Sequence, residues 1–140
     1  ENFITEKNFS LSTEKNPVPN RIDLNAFMPH SFEIVLSNDF NEKLIIGYDS
    51  TKIQYYIDRS QAGIANFNEG FATVAVAPRL SGGIILNWSI LIDKTSIELF
   101  ADGGRSVMTA LFFPKHPYTK CVLQSKNGIG LNSLNLFSAK

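Results

Sequence analysis

The sequence predicts an all-β fold without significant helix, a sandwich or a barrel, and three observations carry that expectation. Apolar residues recur at period two almost everywhere, which puts alternate side chains on opposite faces of strands. Turn-forming clusters cut the chain into short runs at regular spacing, the pattern of sandwiches and barrels. No stretch carries a convincing helical period, an internal repeat or a low-complexity tract.

At 140 residues the chain fits one domain that buries a core without staples. Asn16-Pro17-Val18-Pro19-Asn20 cannot continue a sheet ladder through both prolines, so it marks an irregular segment. Residues 1–25 are expected to form an N-terminal extension, a linker or an edge strand, and residues 26–140 the β domain. Phe32, Ile34 and Leu36 share one strand face up to the turn Ser37-Asn38-Asp39. Asp49-Ser50-Thr51-Lys52 is a second turn. After it, Ile53, Tyr55 and Ile57 share a face, with Gln54, Tyr56 and Asp58 on the other. Ser81-Gly82-Gly83 precedes a strand with Leu86, Trp88, Ile90 and Ile92 on one side, which makes Trp88 a core residue. Asp93-Lys94-Thr95 then leads to Ile97 and Leu99. The sharpest turn is Asp102-Gly103-Gly104, where glycine supplies the positive φ of a tight hairpin. Ile97 to Ala101 is expected to pair antiparallel with Ser106 to Phe112. Lys126-Asn127-Gly128 separates off Ile129 and Leu131.

Composition narrows the partners. Thirteen basic and thirteen acidic residues cancel, and no Lys/Arg cluster runs along any segment, so the footprint of a nucleic-acid binder is missing. A neutral ligand fits better. Apolar runs such as Leu44-Ile45-Ile46 and Leu111-Phe112-Phe113 fall far short of a membrane span, so no membrane partner is expected. Cys121 is the single cysteine, which excludes an internal disulfide and reads as a small buried hydrophobe beside Val122 and Leu123. His30 and His116 lie beside prolines without a second ligand at metal spacing, so neither a metal nor a cofactor is expected. No serine sits in a nucleophile elbow and no glycine-rich loop opens a helix. The chain opens on Glu1 without a basic, apolar leader, which reads as a mature or excised segment.

Two segments in series resemble a known family. Tyr56-Ile57-Asp58-Arg59-Ser60-Gln61-Ala62-Gly63 is followed by Ile90 to Arg105, with Ile97-Glu98-Leu99-Phe100 and the acidic turn Asp102-Gly103-Gly104-Arg105. They are similar to the C-terminal sandwich of glycoside hydrolase family 32, the levanases, inulinases and invertases. Ile46-Gly47-Tyr48-Asp49, Phe71, Met108-Thr109 and Phe112-Phe113-Pro114 agree with it. The resemblance covers roughly residues 30 to 137. It implies a two-sheet antiparallel β-sandwich of the lectin-like, jelly-roll type, which follows a five-bladed catalytic propeller in that family. The family's catalytic motifs, of Asn-Asp-Pro, Arg-Asp-Pro and Glu-Cys type, do not occur here. The resemblance therefore implies a domain that is not itself an enzyme, partnered by a propeller of the same polypeptide. It also implies a secreted, periplasmic or cell-surface location, from the substrate class alone.

Glycoside hydrolysis needs two carboxyl groups about 5 to 9.5 Å apart, and Asp58, Glu98 and Asp102 are the carboxylates to weigh. Glu98 falls on the face opposite Ile97 and Leu99, where a polar network or a domain contact is the simpler role. Asp58-Arg59-Ser60 has the chemistry of a turn. A pairing of Arg59 or Arg105 with Glu98 or Asp102 is expected from the family's layout. The competing reading is recognition of terminal fructose, in which Asp58, Arg59, Glu98, Asp102 and Arg105 meet sugar hydroxyls, and Tyr48 and Tyr56 act as surface aromatics.

Overall fold

The structure, a computed structural model, describes residues 2–5, 7–12, 17–63, 74–80 and 83–138. Phe71 of the family resemblance, Asn16 of the Pro-rich segment, and Ser81 and Gly82 of a proposed turn lie outside these residues. The described residues form two six-stranded sheets. The first runs in the order β1 (Asn2–Ile4), β12 (Ile129–Phe137), β3 (Arg21–Phe27), β8 (Ile85–Ile92), β9 (Ser96–Ala101) and β10 (Ser106–Leu111). The second runs β2 (Asn8–Ser10), β11 (Lys120–Ser125), β4 (Phe32–Ser37), β5 (Lys43–Asp49), β6 (Gln54–Asp58) and β7 (Val74–Pro78). Every neighbouring pair is antiparallel. The fold is the two-sheet β-sandwich expected from the sequence.

Strict alternation builds the core. β4, β9 and β10 turn every second residue inward, so Ile34 and Leu36 of the second sheet share one core with Ile22, Leu24, Leu86, Ile90, Ile97 and Leu99 of the first. Removing each large aliphatic side chain from water stabilises the fold by roughly 1.5–3 kcal/mol. Trp88 is 2% exposed. It packs against Phe32 at 4.8 Å between ring centroids, and edge-on against Tyr55 at 5.7 Å. Burial pushes the Cys121 thiol up to about 12, which keeps it protonated and inert.

Two sequence expectations need correction. The boundary at residue 25 falls inside β3, whose Ile22 and Leu24 are core residues between β12 and β8. The stretch before it supplies β1 and β2, one of the two edge strands of each sheet. Ile53 does not share the buried face of Tyr55 and Ile57. At φ 53° it belongs to the turn and is 55% exposed. Asp49 Oδ1 accepts from the Thr51 and Lys52 amides, so the turn extends one residue further than alternation suggests.

The β4–β5 turn is locked onto the connector before β11 by one buried carboxylate. Glu42 Oε2 accepts from Lys115 N at 2.8 Å, and its Oε1 from Asn38 Nδ2 at 2.9 Å and His116 N at 3.2 Å. Phe40 stacks on His116 at 3.6 Å. Desolvation by burial works to raise the Glu42 pKa, but these donors outweigh it and hold the carboxyl below its usual value of 4.5. A depressed folded pKa means the carboxylate contributes stability above pH 4.5 and loses it as pH falls through the folded value. Glu42→Gln is expected to cost about 2 kcal/mol at pH 7. It should also flatten the acid limb of stability, read as urea midpoints between neutral and acid pH.

Candidate functional site

The acidic hairpin is built from the backbone outward. Asp102, Gly103 and Gly104 take positive φ values of 54°, 71° and 90° in sequence. The turn closes on Gly104 N to Ala101 O at 3.1 Å, and Ala101 pairs opposite Ser106 as the sequence implied. This conformation aims the Asp102 side chain between the sheets. Its Oδ2 accepts from the Tyr55 hydroxyl of the opposite sheet, and its Oδ1 from Asn87 N at 3.2 Å. Burial, and then the Asp102 carboxylate, push the Tyr55 hydroxyl far above its ordinary range. Asp102 thus works as a tie between β6, β8 and the hairpin.

Arg79 is a second tie, missed by sequence reasoning. It donates to Tyr48 Oη at 3.2 Å, to Gly83 O at 2.7 Å and to Ile85 O at 3.2 Å. Its guanidinium lies 5.4 Å from the centre of the Tyr48 ring. Tyr48 is only 4% exposed, which corrects its assignment as a surface aromatic. It shares the inner face with Phe32 and Tyr55, and the arginine lets its hydroxyl be buried.

At the other end of the sandwich, Asp58 Oδ1 accepts from Ser60 N at 2.9 Å and Ser60 Oγ at 2.6 Å, the turn chemistry expected of it. Arg59 Nη1 donates to Leu111 O at 3.0 Å and joins the two sheets there. Glu98 sits on the outer face between Leu91 and Thr109. No ion pair links Arg59 or Arg105 to Glu98 or Asp102. The pairs between described residues are Arg21–Asp23 at 2.9 Å and Lys120–Asp39 at 3.1 Å. The Asp102 carboxylate is engaged by neutral donors instead, which corrects the expected pairing. Glu98 and Asp102 are separated by about 13 Å of strand at roughly 3.3 Å per residue. Glu98, on the outer face, and Asp102, turned between the sheets, therefore do not flank one bond.

Polar side chains gather instead on the two outer faces. On the first sheet, Asp23 Oδ1 accepts from Arg21 Nε at 2.9 Å and Ser89 Oγ at 2.8 Å, beside Asn25 Nδ2 donating to Asn87 Oδ1 at 2.7 Å. These residues border a groove of 510 Å³ whose wall includes Phe100. On the second sheet, Val76, Tyr56, Gly47, Glu33, Gln124 and Asn8 lie side by side on successive strands. Tyr56 Oη donates to Glu33 Oε2 at 2.7 Å, and Gln124 Nε2 donates to Asn8 Oδ1 at 2.9 Å. Burial, and then Glu33, raise the Tyr56 hydroxyl well above its usual range. A groove of 360 Å³ opens over Tyr56, Glu33, Gln124 and Asn8 of this row. No cluster of three or more metal-ligating side chains occurs among the described residues. No helix among the described residues is long and apolar enough to cross a membrane.

A family model described as "Glycosyl hydrolases family 32 C terminal" matches residues 6–138. The extracellular exo-inulinase of Aspergillus awamori is 35% identical over 102 residues, which is 70% of this chain and 19% of that protein. The levanase of Bacillus subtilis is 29% identical over 104 residues, 71% of this chain and 15% of that protein. The chain therefore spans a fifth or less of these relatives. In three dimensions it matches the A. awamori exo-inulinase crystal structure with a TM-score of 0.73 at 26% identity, over 95% of this chain and 27% of that one. Fructan 1-exohydrolase IIa from Cichorium intybus shares the fold with a TM-score of 0.70 at 12% identity, over 99% of this chain and 34% of that one.

Proposed function

The chain belongs to the C-terminal domains of glycosyl hydrolase family 32, and from that membership we propose that it is the non-catalytic sandwich of a fructan- or sucrose-cleaving enzyme, packed on and stabilising a catalytic domain of the same polypeptide. The observation that carries this reading is an apolar band along one edge of the sandwich. Val74 and Val76 of β7 and Val107 and Leu111 of β10 are all exposed. β7 and β10 are the edge strands of the two sheets, and Ser106 Oγ donates to Pro78 O at 2.7 Å where they meet. Edge strands left with such side chains invite pairing or aggregation unless covered.

The separated carboxylates support the non-catalytic half of the reading, since glycoside hydrolysis needs its two acids about 5 to 9.5 Å apart. Asp58 and Asp102 are assigned to the architecture: each is occupied by groups of its own chain. Relatives described as extracellular support secretion of the parent enzyme. The test is fructose release from inulin, levan and sucrose by the 140-residue chain alone. No turnover is expected; sustained release that follows the purified chain would end the non-catalytic assignment.

A further inference from the structure

We propose that the outer face of the β2-β11-β4-β5-β6-β7 sheet carries a groove for a short neutral saccharide, with Tyr56 as its stacking platform and Glu33, Gln124 and Asn8 as its hydroxyl partners. The platform is made by an absence. A Cβ at Gly47 would fall 2.3 to 2.6 Å from Tyr56 Cζ, Oη and Cε1, so the tip of the ring covers the bare backbone of β5. The hydrogen bond to Glu33 at 2.7 Å fixes the ring there. The ring lies over the sheet and borders the groove, where an aromatic side chain can cover the C–H face of a sugar.

The polar groups around the ring suit hydroxyls. Glu33 spends one carboxylate oxygen on Tyr56, and a carboxylate has about four lone-pair sites. Gln124 and Asn8 bond to each other through one amide atom apiece, which leaves an acceptor on Gln124 and a donor on Asn8 for a ligand. Ser125 also borders the groove and is 6% exposed, and its Oγ has no partner among the described residues. Lys7 and Lys126 stand on the rim, and the Glu33 carboxylate in the middle of the row disfavours an anion. The volume of 360 Å³ lies at the small end of the ligand range, about 300–1,000 Å³. The row begins at Val76 of the apolar edge, whereas the groove lies toward β11 and β2 at the opposite edge of the sheet.

The geometry is independent of the family, whereas the choice of fructose-containing saccharides rests on the proposed function. The test is an amide-detected NMR titration of the 140-residue chain with 1-kestose and short inulin, alongside xylo- and cello-oligosaccharides. Shifts confined to Asn8, Glu33, Tyr56 and Gln124 are expected. Tyr56→Ala should weaken binding by about tenfold, and Gln124→Ala, on the outer face, should weaken it several-fold with an unchanged unfolding midpoint. A response to xylo- or cello-oligosaccharides alone would uphold the groove and overturn the fructan assignment. No response along the row to any of these saccharides, with the chain folded, would overturn the groove itself.

Discussion

Asp102→Ala is expected to destabilise the domain by about 3 kcal/mol. The Tyr55 hydroxyl, in a side chain with no solvent exposure, would lose its acceptor, and a stranded buried donor costs about 1–3 kcal/mol. Asn87 N would lose its side-chain partner as well. Alanine would also have to hold φ near 54°, a left-handed backbone costing about 1–2 kcal/mol. Asp102→Asn keeps an acceptor and tolerates that backbone, so it should cost far less. Urea unfolding of both variants measures the difference. If Asp102 acted only as an exposed sugar contact, the alanine variant would leave the midpoint where it is. The raised Tyr55 pKa adds a second readout: its stabilisation is present below pH 10 and is lost as pH rises past that value. Asp102→Ala should shrink that alkaline loss.

Trp88→Ala is expected to cost about 4 kcal/mol, in the range for deleting a fully buried aromatic side chain. The ring fills the space between Phe32 and Tyr55, and neither can move in without leaving its own strand register. Unfolding followed by circular dichroism is the suitable readout, because Trp88 is the sole tryptophan and its fluorescence disappears with it. A cost below about 1 kcal/mol would mean that the ring is peripheral.

What could be read from the sequence was what repeats along it. Alternation placed Trp88, Ile90, Ile97 and Leu99 inside, and Asp102-Gly103-Gly104 announced a hairpin with Ala101 opposite Ser106. The errors arose where a local departure outweighed the period. Ile53 keeps the parity of Tyr55, yet the Asp49 side chain holds the turn one residue longer. β3 escaped notice at the proposed boundary because Arg21, Asp23 and Asn25 make its outer side polar while Ile22 and Leu24 are fully buried.

The site was less legible than the fold because its pieces meet only in three dimensions. Asp102 and Tyr55 are 47 residues apart, and nothing near Arg79 in sequence marks it as the partner of Tyr48. Tyr56 was visible as an outward aromatic. Its partners were not, because Gly47, Glu33 and Gln124 become neighbours only through the register of β6, β5, β4 and β11. A glycine amid the apolar run before Tyr48 was the available clue.

Docking on a catalytic domain is the central claim, and hydrogen exchange measured on the 140-residue chain alone and within the longer polypeptide tests it most directly. Slower exchange is predicted for the edge amides of β7 (Val74–Pro78) and β10 (Ser106–Leu111) when the catalytic domain is present, with β2 and β11 unchanged. Equal exchange of β7 and β10 in both would contradict the claim that this edge is where the domain holds its enzyme.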